Sequence, residues 1–489
     1  MQKKLYLFGI GGTGARVIKA LTMLMAAGVK PQTEDEYTII PVLLDPHKHN
    51  KDLKRTLEYL KLYRQITQET GNDNGFFGMP VKALDGTKDF ASSLQEVSAK
   101  KFRDFIELSL MDEDSRALAE FLFSGSSVDK YGSEISMLDI DMEIGFVGNP
   151  NIGSVVMMSL LEELDEIQSF ANQFNEQDRI FIIGSIFGGT GAAGLPSLVR
   201  LIRGAKDTNL SNKGYLSNAK IGTLVVMPYF NLENSSNSPI QTSEFYIKTR
   251  AALSYYQKHL REEINAFYYL AENNYKGKAY KNDPGEGGQK NDAHFAELIG
   301  ALAVLDFMEA GNLSLEDRYH REFGIMEDSR TIDFTKLGKI TQDKIKLPLS
   351  SFYLMHRYWK ERAPETLEVQ AWSTTDPKVE KSWLNTEFYR NYLSRFLGGF
   401  EEWLEEMAQN DRAFAPFNLS QDASVANFIS GFHGSKKKML GLAKGDVTYT
   451  DLDDKLNKIS KGATYKNVNQ KVLRLFHDAT RAFIEEYYK

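Results

Sequence analysis

The sequence contains no cysteine among its 489 residues. This absence excludes disulfide bridges, thiolate zinc sites, iron–sulfur clusters and a cysteine nucleophile. Because proteins of reducing compartments do without disulfides, the composition favours a cytoplasmic protein.

Long apolar runs and an excess of positive charge are lacking as well. No apolar stretch approaches the roughly 18 residues of a membrane-spanning helix, so we expect none. The 59 lysines and arginines are outnumbered by 66 aspartates and glutamates, which gives a net charge of −7. This balance disfavours binding to nucleic acid or to an anionic membrane, and the lysines at 436–438 are interpreted as a solvated turn.

Histidine is scarce, with eight in the chain. His47 and His49 follow Asp45 in the segment LDPHKHN. Alternating histidines in a polar loop are more typical of solvated surface than of a metal site, so we predict no metal centre built from protein ligands.

Short apolar segments alternate with helical patterns through the first 270 residues. This alternation predicts an α/β fold with a Rossmann-like, mostly parallel sheet that has helices on both faces. Ligands of such sheets bind outside the carboxyl ends of the strands. The predicted strands are 4–9, 37–45, 143–148, 179–184, 220–229 and 266–271, and the predicted helices are 14–27, 154–171, 194–205 and 243–263.

The pattern divides the chain into three parts. Residues 1–290 are predicted to form a nucleotide-binding α/β domain with a largely helical insertion at about 46–142. Residues 291–313 are predicted to form a central helix and the loop after it. Residues 314–489 are predicted to be mainly helical, because apolar residues recur every three or four positions in 382–407 and 470–488.

Three glycine-rich turns lead from predicted strands into predicted helices: GIGGTG at 9–14, GNPNIG at 148–153 and GGTG at 188–191. Backbone N–H groups at such turns favour phosphate. The first turn also fits the dinucleotide pattern G-x-G-x-x-G, but Asp45 lies 31 residues after Gly14 rather than about 20. A Rossmann-type NAD-dependent oxidoreductase therefore remains an alternative.

The order of these turns, followed by the strand end MPYFNLE at 227–233, resembles the tubulin/FtsZ superfamily, most closely bacterial tubulin-like proteins. The resemblance covers about residues 3–317 apart from the insertion. It implies GTP or GDP as ligand, with Mg²⁺ expected. The implied nucleotide contacts are Gly11, Gly12, Thr13, Gly14 and Ala15; Gly148, Asn149 and Pro150; Gly188, Gly189, Thr190 and Gly191; and Pro228, Tyr229 and Glu233, with Asp45 a further candidate.

The resemblance also implies a base-binding and a catalytic role for residues near the central helix. Asn291 corresponds to the residue that pairs with guanine. Asn312 and Asp317 correspond to loop residues that reach the nucleotide of the next subunit, where the acid orients the attacking water. Ser314 stands where the family has a nearer acid, so the water-activating pair is incomplete.

Together these features predict a GTP-binding tubulin-like protein whose nucleotide state controls head-to-tail self-assembly into a cytoskeletal filament, with slow GTPase activity. The alternative from another functional class, a binding protein rather than an enzyme, is a nucleotide-regulated scaffold that binds GTP without hydrolysing it. In either case the insertion or the C-terminal region is the expected place for partner proteins.

Overall fold

The computed structural model describes most of the chain. The described residues are 2–46, 50–71, 75–84, 90, 101–129, 133–142, 145–146, 148–229, 231–232, 242–272, 279–280, 291–311, 313–314, 325, 329–420, 422–436 and 445–488. The side chains of 128, 231–232, 242–246 and 279–280 are left out of the description.

A five-stranded parallel sheet with the order β2-β1-β5-β6-β8 forms the centre of the fold. Its strands are almost entirely apolar, as expected of parallel strands that are covered on both faces. Together with the short strands that lie outside this sheet, the strands of the described residues are β1 (Gln2–Ile10), β2 (Glu36–Leu44), β3 (Ser126–Val128), β4 (Glu134–Ser136), β5 (Arg179–Ser185), β6 (Lys220–Val226), β7 (Asn231–Leu232), β8 (Ala266–Leu270), β9 (Ala279–Tyr280), β10 (Thr331–Ile332) and β11 (Ala413–Phe414).

Helices cover both faces of the sheet and make up most of the C-terminal region. They are α1 (Gly11–Ala26), α2 (Lys51–Thr70), α3 (Phe102–Phe105), α4 (Glu113–Leu122), α5 (Pro150–Leu160), α6 (Asp165–Gln173), α7 (Gly189–Arg203), α8 (Lys213–Ser217), α9 (Thr242–His259), α10 (Phe295–Glu309), α11 (Lys339–Glu361), α12 (Ala363–Thr366), α13 (Ala371–Thr374), α14 (Ser394–Ala408), α15 (Tyr449–Ser460) and α16 (Val468–Tyr487).

Alternate residues of each strand point into two separate hydrophobic cores. Leu5 and Leu7 of β1 face a core that includes α1, α2, α10 and the C-terminal helices. Tyr6 and Phe8 face the other core, which includes α5 to α9. The parallel α/β sheet, the central helix and the mainly helical C-terminal region are thus confirmed. Since the first core runs from β1 to α16, the expected division at residues 290 and 313 stays a prediction.

Several local elements differ from the sequence-based expectation. Residues 145–146 and 148 form no strand, although 143–148 was expected to be one, and the remaining positions there lie outside the described residues. The helix expected at 154–171 is two helices, α5 and α6, separated by a 3₁₀ turn at Leu161–Glu163. The helix expected at 382–407 is a 3₁₀ turn, a π-type turn at Phe388–Leu393 and then α14.

Helix α10 runs along the strands of the sheet. It leads from their carboxyl ends, here called the carboxyl edge of the sheet, to their amino ends, the amino edge. Its 15 residues span about 22 Å, and the seven residues of β5 span about 23 Å. At the amino edge, Arg179 Nη1 donates to Phe307 O at 2.6 Å. Leu313 O accepts from Lys220 Nζ at 3.1 Å and from Asn265 Nδ2 at 2.8 Å. The chain after α10 is therefore held at the edge opposite to the glycine-rich turns.

None of the described helices combines the length and apolar character needed to cross a membrane.

The close packing of α10 on the sheet can be tested at Gly222 of β6. A Cβ at this position would lie 2.7 Å from Cδ2 of both Phe181 and Phe307. We expect Gly222→Ala to lower the free energy of unfolding by about 1–3 kcal/mol because the two rings have to move. Urea unfolding followed by tryptophan fluorescence measures this.

Gly214→Ala is the matched control, since a Cβ there meets nothing within 4 Å. It should leave stability unchanged or raise it slightly. Equal stability of the two variants would contradict the packing described.

Candidate functional site

The three glycine-rich turns meet at the carboxyl edge of the sheet. Gly11 has a positive φ of +70°, and a Cβ on it would lie 3.5 Å from Cβ of Thr190. A Cβ on Gly189 would lie 3.2 Å from the backbone nitrogens of both Gly148 and Asn149. Residues 11–13, 148–150 and 188–190 therefore form one continuous backbone surface, which we call the glycine cradle.

Each turn of the glycine cradle opens a helix, and the three helices are α1, α5 and α7. In the described structure no side chain caps their N-termini, and none has an acidic residue in its first turn. Elsewhere in the described structure Asn50 caps α2 and Asp112 caps α4, whereas α6 and α11 also have no side-chain cap. The first N–H groups and the positive ends of three helix dipoles are therefore available to one anionic ligand.

Two of the predicted contact glycines have a packing role. A Cβ on Gly14 would lie 2.7 Å from the carbonyl carbon of Gly9 and 3.0 Å from Ile183 O. A Cβ on Gly191 would lie 2.6 Å from Ser185 O. These glycines let α1 and α7 approach the strands closely, and their role in ligand binding stays a prediction.

Asp45 reaches the glycine cradle through Asn50. Asn50 Nδ2 donates to Asp45 Oδ2 at 2.7 Å, and it lies 3.1 Å from the position of a Cβ on Gly12. Asn50 Oδ1 accepts from the backbone N–H groups of Asp52 and Leu53 at the start of α2. Asp45 is buried. The first turn is therefore backed by a hydrogen-bonded Asp–Asn pair.

A buried arginine lies one turn further along α1. Arg16 Nε donates to Glu297 Oε1 of α10 at 2.7 Å, and its Nη1 donates to Asp52 Oδ2 of α2 at 2.8 Å. Its Nη2 donates to the hydroxyl of Tyr229, which in turn donates to Glu297 Oε1 at 2.9 Å. Arg16 thus joins α1, α2, α10 and the chain after β6 immediately behind the glycine cradle.

Burial and charge set the protonation of this cluster. Burial by itself would lower the pKa of Arg16, but Tyr229, Glu297 and Asp52 outweigh it and raise the pKa. Burial raises the pKa of Tyr229 well above its ordinary value. Burial also raises the pKa of Glu297, and the nearby cations Arg16 and Lys19 offset this in part. The guanidinium therefore keeps its charge, and the phenol stays neutral.

The chain after β6 lies beside the start of α10. Tyr229 is buried, and its ring lies 5.0 Å from the His294 ring and 6.5 Å from the Phe187 ring. Pro228 precedes it. Phe187 precedes the GGTG turn, so these rings connect that turn to the N-terminus of α10.

Asn291 lies at the same end of α10 but four residues before the helix begins. His294 is the N-cap, with its Nδ1 accepting from Ala296 N–H at 3.0 Å and Glu297 completing a capping box. Asn291 Nδ2 donates to Asp52 Oδ2 at 3.1 Å, and Asn291 is buried. The structure thus brings Asn291 next to Asp52 and Arg16, while its role toward a base stays a prediction.

Sequence reasoning missed several residues at this site. Lys248 of α9 donates from Nζ to Gly148 O at 2.8 Å, which places a cation against the second turn. Asn50, Asp52 and Arg16 were also missed. The pair Asn50–Asp52 before an apolar-periodic stretch is an N-cap signal for α2 that was available in the sequence.

Three predicted site residues, Glu233, Asn312 and Asp317, lie outside the described residues, as do His47 and His49. Ser314 is described and is partly buried. It directly follows Leu313, whose carbonyl is held at the amino edge by Lys220 and Asn265. In the parts of the chain that the structure covers, no group of three or more histidines, aspartates or glutamates is arranged to hold a metal ion.

No family model and no curated protein matches the sequence. The solved structures that resemble the chain include CetZ2 from Haloferax volcanii, a GTPγS-bound protofilament, at 13% identity and a TM-score of 0.26, covering 63% of this chain and 56% of that one. CetZ from Methanosaeta thermophila matches at 12% identity and a TM-score of 0.28, covering 64% of this chain and 57% of that one. TubZ from Bacillus thuringiensis serovar israelensis, a GTPγS-form protofilament, matches at 11% identity and a TM-score of 0.26, covering 81% of this chain and 80% of that one.

The similarity spans little more than half of either CetZ chain. Because all the TM-scores lie below 0.5, a function has to be argued from this chain's own residues.

The neutral state of His294 gives a testable dependence of stability on pH. Burial, followed by the charges of Arg16 and Arg412, lowers the pKa of His294 from 6.5 to about 3. The unfolded chain therefore takes up a proton at this position before the folded chain does. Stability should fall as the pH drops from about 6.5 toward 3, with a slope from this group of up to about 1.4 kcal/mol per pH unit.

His294→Asn keeps a side chain that can cap α10 but does not titrate, so its unfolding free energy should change less over this range. His259→Asn, at an exposed histidine of α9, is the control and should behave as the wild type does. Identical pH profiles for His294→Asn and the wild type would contradict the assignment. Urea unfolding at pH 7.0, 6.0 and 5.0 measures all three.

Proposed function

We propose that the protein binds a guanine nucleotide, GTP or GDP, with its phosphates in the glycine cradle. The observation that carries the proposal is the meeting of three helix N-termini, all without side-chain caps, around backbone that only glycine allows to come so close. Three such turns suit a polyphosphate. A dinucleotide fold uses one such turn with an acid about 20 residues later, which disfavours the oxidoreductase alternative.

The other parts of the nucleotide are assigned to the residues around the cradle. Asn291, at the start of α10, is assigned to the guanine edge, and the chain at Pro228 and Glu233 to the ribose. Mg²⁺ is expected to be held mainly by phosphate oxygens, as is usual for this ion, with Asp45, which accepts from Asn50 Nδ2 beside the first turn, as the candidate carboxylate. The Lys248 ammonium at Gly148 adds positive charge beside the second turn.

We further propose that the protein is a prokaryotic, cytoplasmic tubulin-like protein that assembles head to tail. The support is that the glycine cradle and Leu313 lie at opposite ends of the strands. The glycine cradle lies at the carboxyl ends of the strands, and Leu313 O is held at their amino ends by Lys220 and Asn265. Asn312 and Asp317 lie next to Leu313 in sequence but outside the described residues, so their place in the contact is part of the proposal. One copy can then complete the site of the next, and such a heterologous contact gives a filament or a ring.

If GTP is hydrolysed, the reaction is attack of water on the γ-phosphate, with the cradle and the metal stabilising the charge. Asp317 from the neighbouring copy is assigned to orient the water. A non-hydrolysing scaffold is the second candidate, and it is favoured by Ser314, which stands where an acid would complete the pair.

Nucleotide binding can be tested at Thr190 and Gly189. Thr190→Val keeps the shape of the side chain and removes the hydroxyl. We expect GTP affinity to fall roughly tenfold or more, because a hydrogen bond to a charged group contributes about 1.5–3 kcal/mol. Gly189→Val should abolish binding, since its side chain would fill the space beside Gly148 and Asn149. Isothermal titration calorimetry measures both.

Thr374→Val, on the exposed surface of the C-terminal region, is the control and should bind GTP as the wild type does. Circular dichroism checks that each variant is folded. Folded Thr190→Val and Gly189→Val proteins with unchanged affinity would show that the GGTG turn serves packing alone.

Turnover distinguishes the GTPase from the scaffold. An acid that activates water typically contributes about 10²–10⁴-fold in rate. Because Ser314 stands where one acid of the pair would be, we expect the wild type to hydrolyse GTP slowly. Asp317→Ala should lower this rate without weakening GTP affinity, because the residue would serve the neighbour's site. Ser314→Asp should raise the rate. Phosphate release above the assembly concentration measures both.

Asp422→Ala, at an exposed acid of the C-terminal region, is the matched control for the loss of a carboxylate. If neither Asp317→Ala nor Ser314→Asp changes the rate, the assignment of this loop is wrong and the scaffold is the better description.

A further inference from the structure

One carboxylate oxygen behind the glycine cradle is buried without a hydrogen-bond donor. Asp52 is 3% exposed, and its Oδ2 accepts from Arg16 Nη1 at 2.8 Å and from Asn291 Nδ2 at 3.1 Å. Its Oδ1 has no partner among the described residues and is closed off from solvent. A carboxylate accepts hydrogen bonds through both oxygens, and a buried oxygen without a donor lowers stability. We therefore expect a donor from outside the chain at Oδ1.

The other carboxylate that binds Arg16 has a donor at each oxygen. Glu297 Oε1 accepts from Arg16 Nε at 2.7 Å and from the Tyr229 hydroxyl at 2.9 Å. Its Oε2 accepts from His294 N–H at 3.2 Å. Pairing with the guanidinium therefore does not explain the unsatisfied oxygen, because Arg16 binds both carboxylates and only Asp52 has one.

Asp52 lies between the first turn of the cradle and Asn291. Asn50 Nδ2 is 3.1 Å from the position of a Cβ on Gly12, and Asn50 Oδ1 accepts from Asp52 N–H at 3.0 Å. Asp52 Oδ2 in turn meets Asn291, which is assigned to the guanine edge. A nucleotide with its phosphates in the cradle and its base at Asn291 would therefore have its base next to the Asp52 carboxylate.

The kind of group that a carboxylate accepts from distinguishes the parts of a nucleotide. Phosphate groups are negatively charged, so Asp52 repels them. The Watson–Crick edge of guanine presents two adjacent donors, N1–H and the exocyclic amine at C2, beside the acceptor O6. The same edge of adenine presents the N6 amine beside the acceptor N1. A buried carboxylate suits guanine best, because a base without a donor at C2 would leave its oxygen unpaired.

We propose that Asp52 selects the base of the nucleotide, with Oδ1 accepting a hydrogen bond from the C2 amine of guanine. Since Oδ1 is closed off in the structure, the surrounding side chains have to move apart to admit the base. Its neighbours Asn50 and Asn291 are themselves 9% and 7% exposed, so the site lies close to the surface. This inference rests on the proposed guanine-nucleotide function and adds the residue that recognises the base.

Nucleotides that differ only at C2 test the proposal on the wild-type protein. Inosine triphosphate lacks the amine, and xanthosine triphosphate has an oxygen in its place. We expect the inosine nucleotide to bind about tenfold to a hundredfold more weakly than GTP, and the xanthosine nucleotide more weakly still. Isothermal titration calorimetry measures these affinities. The same ratio between the 2′-deoxy forms of the guanosine and inosine nucleotides is the control that assigns the loss to the base.

Asp52→Asn tests whether this residue carries the selection. Arg16 and Asn291 are donors, so the amide oxygen of the new side chain would face them and its NH₂ group would take the place of Oδ1. We expect the preference to reverse, with the xanthosine nucleotide bound more tightly than GTP. Glu297→Gln is the matched control, because it removes the other carboxylate from Arg16. Any loss of affinity in this variant should be equal for the two nucleotides.

Equal binding of GTP and the inosine nucleotide by the wild type would overturn the inference and leave the proposed nucleotide function standing. A folded Asp52→Asn protein that loses affinity for GTP and the xanthosine nucleotide by the same factor would also overturn it, since Asp52 would then be a counterion of Arg16 alone. Circular dichroism checks the fold of each variant.

If Asp52→Asn does not fold, Asn291→Ala decides, because it removes the other side chain assigned to the guanine edge. The preference for GTP over the inosine nucleotide should persist in this variant. Its disappearance would show that Asn291 recognises the amine and would overturn the inference. Failure of the wild type to bind any of these nucleotides would instead overturn the proposed nucleotide function, so the two failures are distinguishable.

Discussion

The guanidinium of Arg16 ties together the elements that surround the glycine cradle. It binds carboxylates of α2 and α10 and the hydroxyl of Tyr229 in a buried site. Removing one partner of such a buried pair typically costs about 3–5 kcal/mol, because the remaining charge is left uncompensated. A second group continues the network, since Glu406 of α14 accepts from Arg55 Nη2 at 2.6 Å and from Ala293 N–H at 2.9 Å. The C-terminal region is thereby linked to the start of α10.

Helix α10 is fixed at both ends of the strands. Its N-terminus is fixed at the cradle edge by Glu297 and by the cap at His294, and its C-terminal carbonyls are held at the other edge by Arg179. A rigid helix of the height of the sheet therefore connects the two edges. A ligand at one edge and a neighbouring copy at the other would both act on the same helix, which is how the proposed nucleotide site and the proposed assembly contact are related.

The sequence predicted those features that depend on local pattern. The five apolar runs of the sheet and the glycine turns that end β1 and β5 were found, because buried parallel strands and close strand–helix contacts leave strong signals. The strand at 143–148 was not found among the described residues, since an apolar run can also pack as irregular chain. The partners of Arg16 lie 36, 213 and 281 positions away, and the contact of Lys248 with Gly148 spans 100 positions. No local pattern encodes such contacts, because they arise from tertiary folding.

The central claim is that the glycine cradle selects a guanine nucleotide. The most direct measurement is to incubate the purified protein with equal concentrations of GTP, ATP and NAD in the presence of Mg²⁺, remove free ligand, denature the protein and identify the released nucleotide by chromatography. The account predicts GTP or GDP in near-stoichiometric amount. Release of mainly ATP or NAD, or of no nucleotide under saturating conditions, would contradict it.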